Sequence, residues 1–155
     1  MLNKRQLTIL FVALCAFSFI SVIITFIVWN KPEKIHMNAN EISFENIKGN
    51  VEACRVGRSS LYVKGWIFAT NEYPGVYKGN TYVAANDNGT FYKIKTIREI
   101  RPDVTTFFKE EKKKYDLSGY SSSSRFGFFG LRPSKEILII TEHNGVVRGM
   151  KHVCN

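Results

Sequence analysis

The chain has 155 residues, with 22 lysines and arginines against 13 acids, a formal charge of +9, three cysteines and three histidines. Once its apolar N-terminal stretch is set aside, roughly 125 residues remain, enough for one domain with a real core. The basic balance suits anionic partners such as phospholipid headgroups, phosphorylated glycolipid or acidic polysaccharide, whereas no nucleic-acid-binding motif occurs and no nucleic-acid partner is expected.

Residues 1–6 form a short tail carrying Lys4 and Arg5. Leu7 to Trp29 then runs for 23 residues without a charge, a glycine or a proline. As a helix it is roughly 35 Å long, sufficient to cross a hydrocarbon core of about 30 Å with some tilt. Trp29 stands at its end, where an indole prefers the headgroup region. A cleaved signal has a shorter apolar region, of about 7–15 residues, so an uncleaved anchor is expected. Ser18, Ser21 and Thr25 fall at i, i+3 and i+7 and share one helix face, a surface for contact with an integral membrane protein. Lys31 and Lys34 follow the helix, so the positive-inside rule only slightly favours a cytoplasmic N-terminus.

The cysteines strengthen that orientation. Cys15 lies in the anchor, while Cys54 and Cys154 stand near the two ends of the domain, where an extracytoplasmic location favours a disulfide between them. Closing so long a loop is worth up to ~4–5 kcal/mol in the chain-entropy account. Outside the tail, 20 basic residues (22 less Lys4 and Arg5) face all 13 acids, leaving the domain at +7.

Residues 30–50 are polar, with Pro32 early and Gly49 late, and are expected as a stalk; Ile42, Phe44 and Ile47 could begin the packing. From Val51 the pattern becomes short alternating runs. Val51–Arg55 and Leu61–Phe68 are candidate strands, and a loop with Pro74 and Gly75 follows. Thr81–Ala85 and Phe91–Ile97 flank Asp87-Asn88-Gly89, a hairpin signal. Arg101-Pro102-Asp103-Val104 announces a short helix to about Lys109, with Arg101 and Asp103 as a local ion pair or cap. The mixed-sign run Lys109–Lys114 reads as a solvated face, or as a basic tip of Lys112, Lys113 and Lys114 that meets a ligand. Ser121 to Ser124 suggest a flexible loop or an exposed edge strand. A second hairpin, Glu136–Thr141 and Val146–Cys154 about His143-Asn144-Gly145, closes the chain. Seven or so strands with little helix predict an antiparallel β-sandwich over residues 51–155, with Trp66 in its core near the cysteines and Gly119 in a turn.

Read together, Gly65-Trp66-Ile67-Phe68, Arg101-Pro102-Asp103-Val104 and Ser118-Gly119-Tyr120 resemble an immunoglobulin-like accessory module of bacterial envelope glycan proteins. That module is often attached to glycosyltransferases and carries a pattern like GWAF…RPDV…SGF. The resemblance spans roughly Val51 to Cys154, and this chain departs from it at Ile67 and Tyr120. It implies an Ig-like sandwich used for positioning or binding rather than catalysis.

The chemistry-bearing residues agree with a non-enzyme. His36, His143 and His152 lack metal-ligand spacing, no G-x-S-x-G elbow surrounds the serines, and neither a metal nor a cofactor is expected. Among the tyrosines, Tyr73 and Tyr77 flank the Pro74 loop and are the expected exposed platforms for a sugar ring. The expected function is therefore that of an inner-membrane, single-span module that modulates envelope glycan (lipopolysaccharide or O-antigen type) assembly through an integral membrane partner. The alternative is a carbohydrate- or glycolipid-binding module, with a phage-encoded surface modifier as a variant of either. A small envelope hydrolase, resting on the serine run alone, comes last.

Overall fold

The computed structural model describes residues 3–35, 42–70, 75–109 and 113–155. It divides into two units, Met1–Lys31 and Pro32–Asn155, each described by itself.

The first unit is one helix, α1 (Lys4–Asn30), long and apolar enough to cross a membrane, as an anchor or a signal would. It starts earlier than its apolar run because Asn3 and Gln6 make a reciprocal cap: Asn3 Oδ1 accepts from the Gln6 N–H at 2.9 Å and Gln6 Oε1 from the Asn3 N–H at 3.0 Å. Two of the three hydroxyls of the expected contact face turn back on the helix. Ser18 donates to the Leu14 carbonyl (2.9 Å) and Thr25 to the Ser21 carbonyl (2.8 Å). These bonds satisfy the hydroxyl donors without a partner helix.

The second unit is built from mostly antiparallel sheet and one short helix. Its strands are β1 (Glu33–Lys34), β2 (Ile47–Val56), β3 (Ser60–Ala69), β4 (Gly75–Val76), β5 (Asn80–Asp87), β6 (Thr90–Ile94), β7 (Thr96–Glu99), β8 (Lys113–Lys114), β9 (Gly119–Arg125), β10 (Glu136–His143) and β11 (Val146–Val153). Helix α2 (Pro102–Phe108) lies between β7 and β8. One sheet has the order β1-β6-β5-β10-β11 and a second the order β2-β3-β9-β7, while β4 and β8 make a short parallel pair.

The period-two pattern of each strand selects one face for burial. On β3, Leu61, Val63 and Ile67 point inward; Val83 and Ala85 of β5, Ile94 of β6 and Ile137 and Ile139 of β10 meet them from the other sheet in one core. Burying each large aliphatic side chain stabilises by about 1.5–3 kcal/mol. Cys54 on β2 and Cys154, just beyond β11, form a disulfide at the edge of this core with a Cα–Cα separation of 5.3 Å. The bridge closes across 100 positions and ties one sheet to the other, as befits an oxidising compartment.

Both Asn-Gly hairpins form. Asn88 and Gly89 take φ of 50° and 83°, and Asn144 and Gly145 take 50° and 74°, the paired positive values that a two-residue turn of this hand requires.

Tertiary pairing corrects four expectations. Residues 30–50 are not a separate stalk in their described part: β1 pairs with β6, Ile42 is buried, and β2 begins at Ile47. The expected strand Phe91–Ile97 divides at Lys95, β6 pairing in one sheet and β7 in the other. The divide is fastened by Thr96, whose Oγ1 accepts from the Val83 N–H at 3.2 Å and lies 2.7 Å from Ser122 Oγ. The serine run is neither loop nor edge, because β9 is paired on both sides, by β3 and β7. Gly119 opens β9 rather than a turn. A Cβ there would lie 2.5 Å from Arg101 Cγ and 2.7 Å from the Glu99 carbonyl oxygen, so the strand needs glycine for closeness.

Candidate functional site

The side chains of β3 that do not enter the main core face outward in the order Tyr62, Lys64, Trp66, Phe68, and this outer face divides into two halves. Around Phe68 it is covered. Helix α2 brings Phe108 edge-on to Phe68 (5.1 Å between centroids) and to Trp66 (5.5 Å), while Tyr115 stacks on Phe68 at 3.8 Å. Tyr77 and Val104 complete this second cluster, and Lys48 Nζ lies 4.7 Å above Phe108. Trp66 is therefore not in the main core beside the disulfide. Its neighbour Ile67, one residue on and of opposite parity, takes that inward place.

The three motif segments meet in space at this covered half. Gly119 pairs with Trp66 in register, and Arg101 packs against Gly119. The Arg101 guanidinium forks onto Glu52 (2.9 and 2.7 Å) and onto Asp103 (2.9 and 2.6 Å). This holds the Asp103 carboxyl below the usual carboxylate range, and raises Arg101 through the same hydrogen bonds. The expected ion pair is present and Glu52 is its unforeseen third member; no side-chain cap bond forms at the start of α2, where Pro102 occupies the first turn. Val104, Ser118 and Tyr120 are buried. Gly65 lies beside the bulge in β2, where a Cβ would meet the Asn50 carbonyl oxygen. These motif residues pack and pair within the fold.

At the Tyr62 end the same face is open. Arg55, Tyr62 and Ser123 stand abreast on β2, β3 and β9; Ala53, Lys64, Ser121 and Ile97 form the next rung, and Arg125 lies across from Ser60. Tyr62 is 37% exposed and Ile97 is 56% exposed. Ser121 and Ser123 point outward and are short, while Ser122 and Ser124 are turned in, so the run supplies both a floor for this face and polar filling beneath it. Lys64 pairs with Glu99 at 2.9 Å, and the hydrogen bond to that carboxylate raises its pKa. Arg55 has no carboxylate partner among the described residues. An exposed phenol ring gives a sugar a flat apolar surface, and a neighbouring guanidinium adds a fork for carboxylate or phosphate oxygens.

The residues expected to meet a ligand are arranged otherwise. Tyr77 is buried rather than exposed: its hydroxyl bonds Thr141 Oγ1, its ring meets Phe68 at 6.4 Å and His143 at 5.3 Å, and the space beside it exists because residue 79 is glycine. The parallel pairing of β4 and β8 draws it in, with its N–H donating to the Lys114 carbonyl at 2.8 Å. Lys113 Nζ donates to the Thr70 carbonyl at 2.9 Å, and Lys114 is exposed. Tyr73 and Lys112 lie outside the described residues, as does His36. His152 comes within 4.8 Å of both Sγ atoms of Cys54 and Cys154, a ligand set by residue type, but sulfurs bonded to each other offer no thiolate. Tyr62 was within reach of the sequence, since the alternation Leu61-Tyr62-Val63-Lys64 sets it beside lysine on the polar side. Arg55, Ser123 and Arg125 were not, because only strand register brings them together.

Comparison of the chain with protein-family models, with curated proteins and with solved structures gives no match.

Proposed function

We propose that this chain is a non-catalytic binding module anchored by α1 in the cytoplasmic membrane, with its N-terminus in the cytoplasm. Its disulfide-bonded domain is an Ig-like sandwich on the extracytoplasmic side, and the open face around Tyr62 binds an anionic glycan or glycolipid. The role that follows is accessory, holding acidic glycan at the membrane where envelope assembly proteins act on it. One observation carries the reading: an exposed tyrosine abreast of Arg55, an arginine with no carboxylate partner among the described residues, on an uncovered sheet face. The domain charge of +7 and the resemblance to glycan-enzyme accessory modules support it.

The test is titration calorimetry of the full chain in neutral detergent with a uronic-acid oligosaccharide and its uncharged counterpart. The acidic one should bind more tightly. Tyr62→Ala and Arg55→Ala should each weaken it about tenfold, the size of one lost stacking or charged contact, without shifting the unfolding midpoint. Equal binding of both sugars, or wild-type affinity in both variants, would sink the reading.

A further inference from the structure

Beyond the end of the open face, two loops enclose a polar cleft of about 580 Å³. One is the turn between β2 and β3, which contributes Arg58 and Ser59; the other follows β9 and contributes Gly127, Gly130, Leu131, Arg132 and Pro133. The loops are bonded to each other, since the Phe126 N–H donates to the Ser59 carbonyl at 2.6 Å, and the first is closed by the Gly57 N–H on the Ser60 carbonyl at 2.8 Å. Gly127 lies against Ser59: a Cβ there would come within 3.3 Å of the serine side chain and narrow the cleft. Leu131 packs on the main core and gives the second loop an apolar footing.

The charge is one-sided. Neither Arg58 nor Arg132 has a carboxylate partner among the described residues. The nearby acid, Asp87, accepts from the Asn88 amide (3.1 Å) and, at 3.5 Å, from the backbone N–H of Arg132, and makes no ion pair with either guanidinium. Two arginines and a serine hydroxyl that line one cleft, with no ion pair to either arginine among the described residues, suit an anion with more than two acceptor oxygens. A carboxylate has two. A phosphoryl group has three and carries close to two negative charges near neutral pH. The cleft is also larger than a phosphate alone needs, leaving room for the group that bears it.

We infer that the Arg58–Arg132 cleft binds the phosphoryl group of a phosphorylated glycan or of a lipid headgroup. The chemistry is separate from the Tyr62 face, and rests on the glycan-binding reading only for the source of the phosphate. The experiment is titration of the full chain in neutral detergent with inorganic pyrophosphate and with a hexose 1-phosphate, followed by flotation with phosphatidic acid vesicles against phosphatidylcholine vesicles. Arg58→Gln and Arg132→Gln should each weaken phosphate binding at least tenfold and flatten its salt dependence, while Tyr62→Ala leaves pyrophosphate binding unchanged. Both arginines sit on surface turns, and an unchanged unfolding midpoint will show that the variants fold. Hexose 1-phosphate binding without flotation identifies a soluble sugar phosphate as the source; selective flotation identifies the lipid headgroup. Wild-type pyrophosphate affinity in both arginine variants overturns the inference even if acidic oligosaccharide still binds. Loss of pyrophosphate binding in those variants, with no oligosaccharide binding at all, keeps the cleft and overturns the Tyr62 reading instead.

Discussion

The two halves of one sheet face show how a single alternating pattern serves two ends. Phe68 and Tyr62 sit on the same side of β3, six residues apart, yet one is fully buried and the other is 37% exposed. The difference is what crosses above them. Pro102 starts a helix where Arg101 is already clamped by Glu52 and Asp103, and that helix carries Phe108 onto Phe68 and Trp66. No comparable element is recorded over Tyr62, Ser121 and Ser123 among the described residues. The covered half contributes stability, and the open half leaves Tyr62 and Ile97 exposed.

Substitutions should divide along the same line. Phe68→Ala removes a fully buried ring at the centre of the covered cluster and should cost about 3–5 kcal/mol, read from the chemical denaturation of the full chain. A loss below about 1 kcal/mol would mean that α2 does not pack on β3 as described. Arg101→Ala should cost less, about 1–2 kcal/mol near neutral pH, because Asp103 is largely exposed and its share is screened by solvent. Its signature is pH dependence. The Asp103 carboxyl is depressed in the folded chain, so its contribution is complete above the unfolded value of about 3.9 and is lost as pH falls through the lower folded value. The stability gap between wild type and Arg101→Ala should therefore shrink as the solution is acidified, and a gap constant with pH would separate Arg101 from Asp103.

Tyr120→Phe should act in the opposite direction. The Tyr120 hydroxyl is buried with no hydrogen-bond partner among the described residues, and burial pushes its pKa up, so removing it should stabilise by about 1 kcal/mol. A loss instead of a gain would show that the hydroxyl is bonded. Smallest of all is the effect of Tyr62→Ala on stability, expected within about 0.5 kcal/mol, in contrast to the tenfold loss of glycan binding that the proposed function expects of the same variant.

Particular residues show how far the sequence could be read. Uncharged length made the helix legible, and Asn-Gly made both hairpins legible, because each is a local rule acting within a few residues. Cys54 and Cys154 were legible as a pair once an oxidising compartment was assumed. Phe91–Ile97 was not, since a strand that leaves one sheet for another keeps its alternation through Lys95. Tyr77 misled because the Pro74-Gly75 loop signals exposure, whereas the partner that buries it, Thr141, lies 64 positions away. The serine run misled for the same reason: polarity suggests an edge, but Thr96 satisfies Ser122 inside the sheet.

By itself the sequence determined the apolar helix, the turns, the β-rich character of the remainder and its basic charge, all set by hydrophobicity and backbone preference at short range. Only the tertiary structure decided which strands are neighbours. It therefore also decided that Arg55, Tyr62 and Ser123 stand in one row and that Arg58 and Arg132 line one cleft. Strand register and loop closure join residues tens of positions apart, and no local preference encodes those distances.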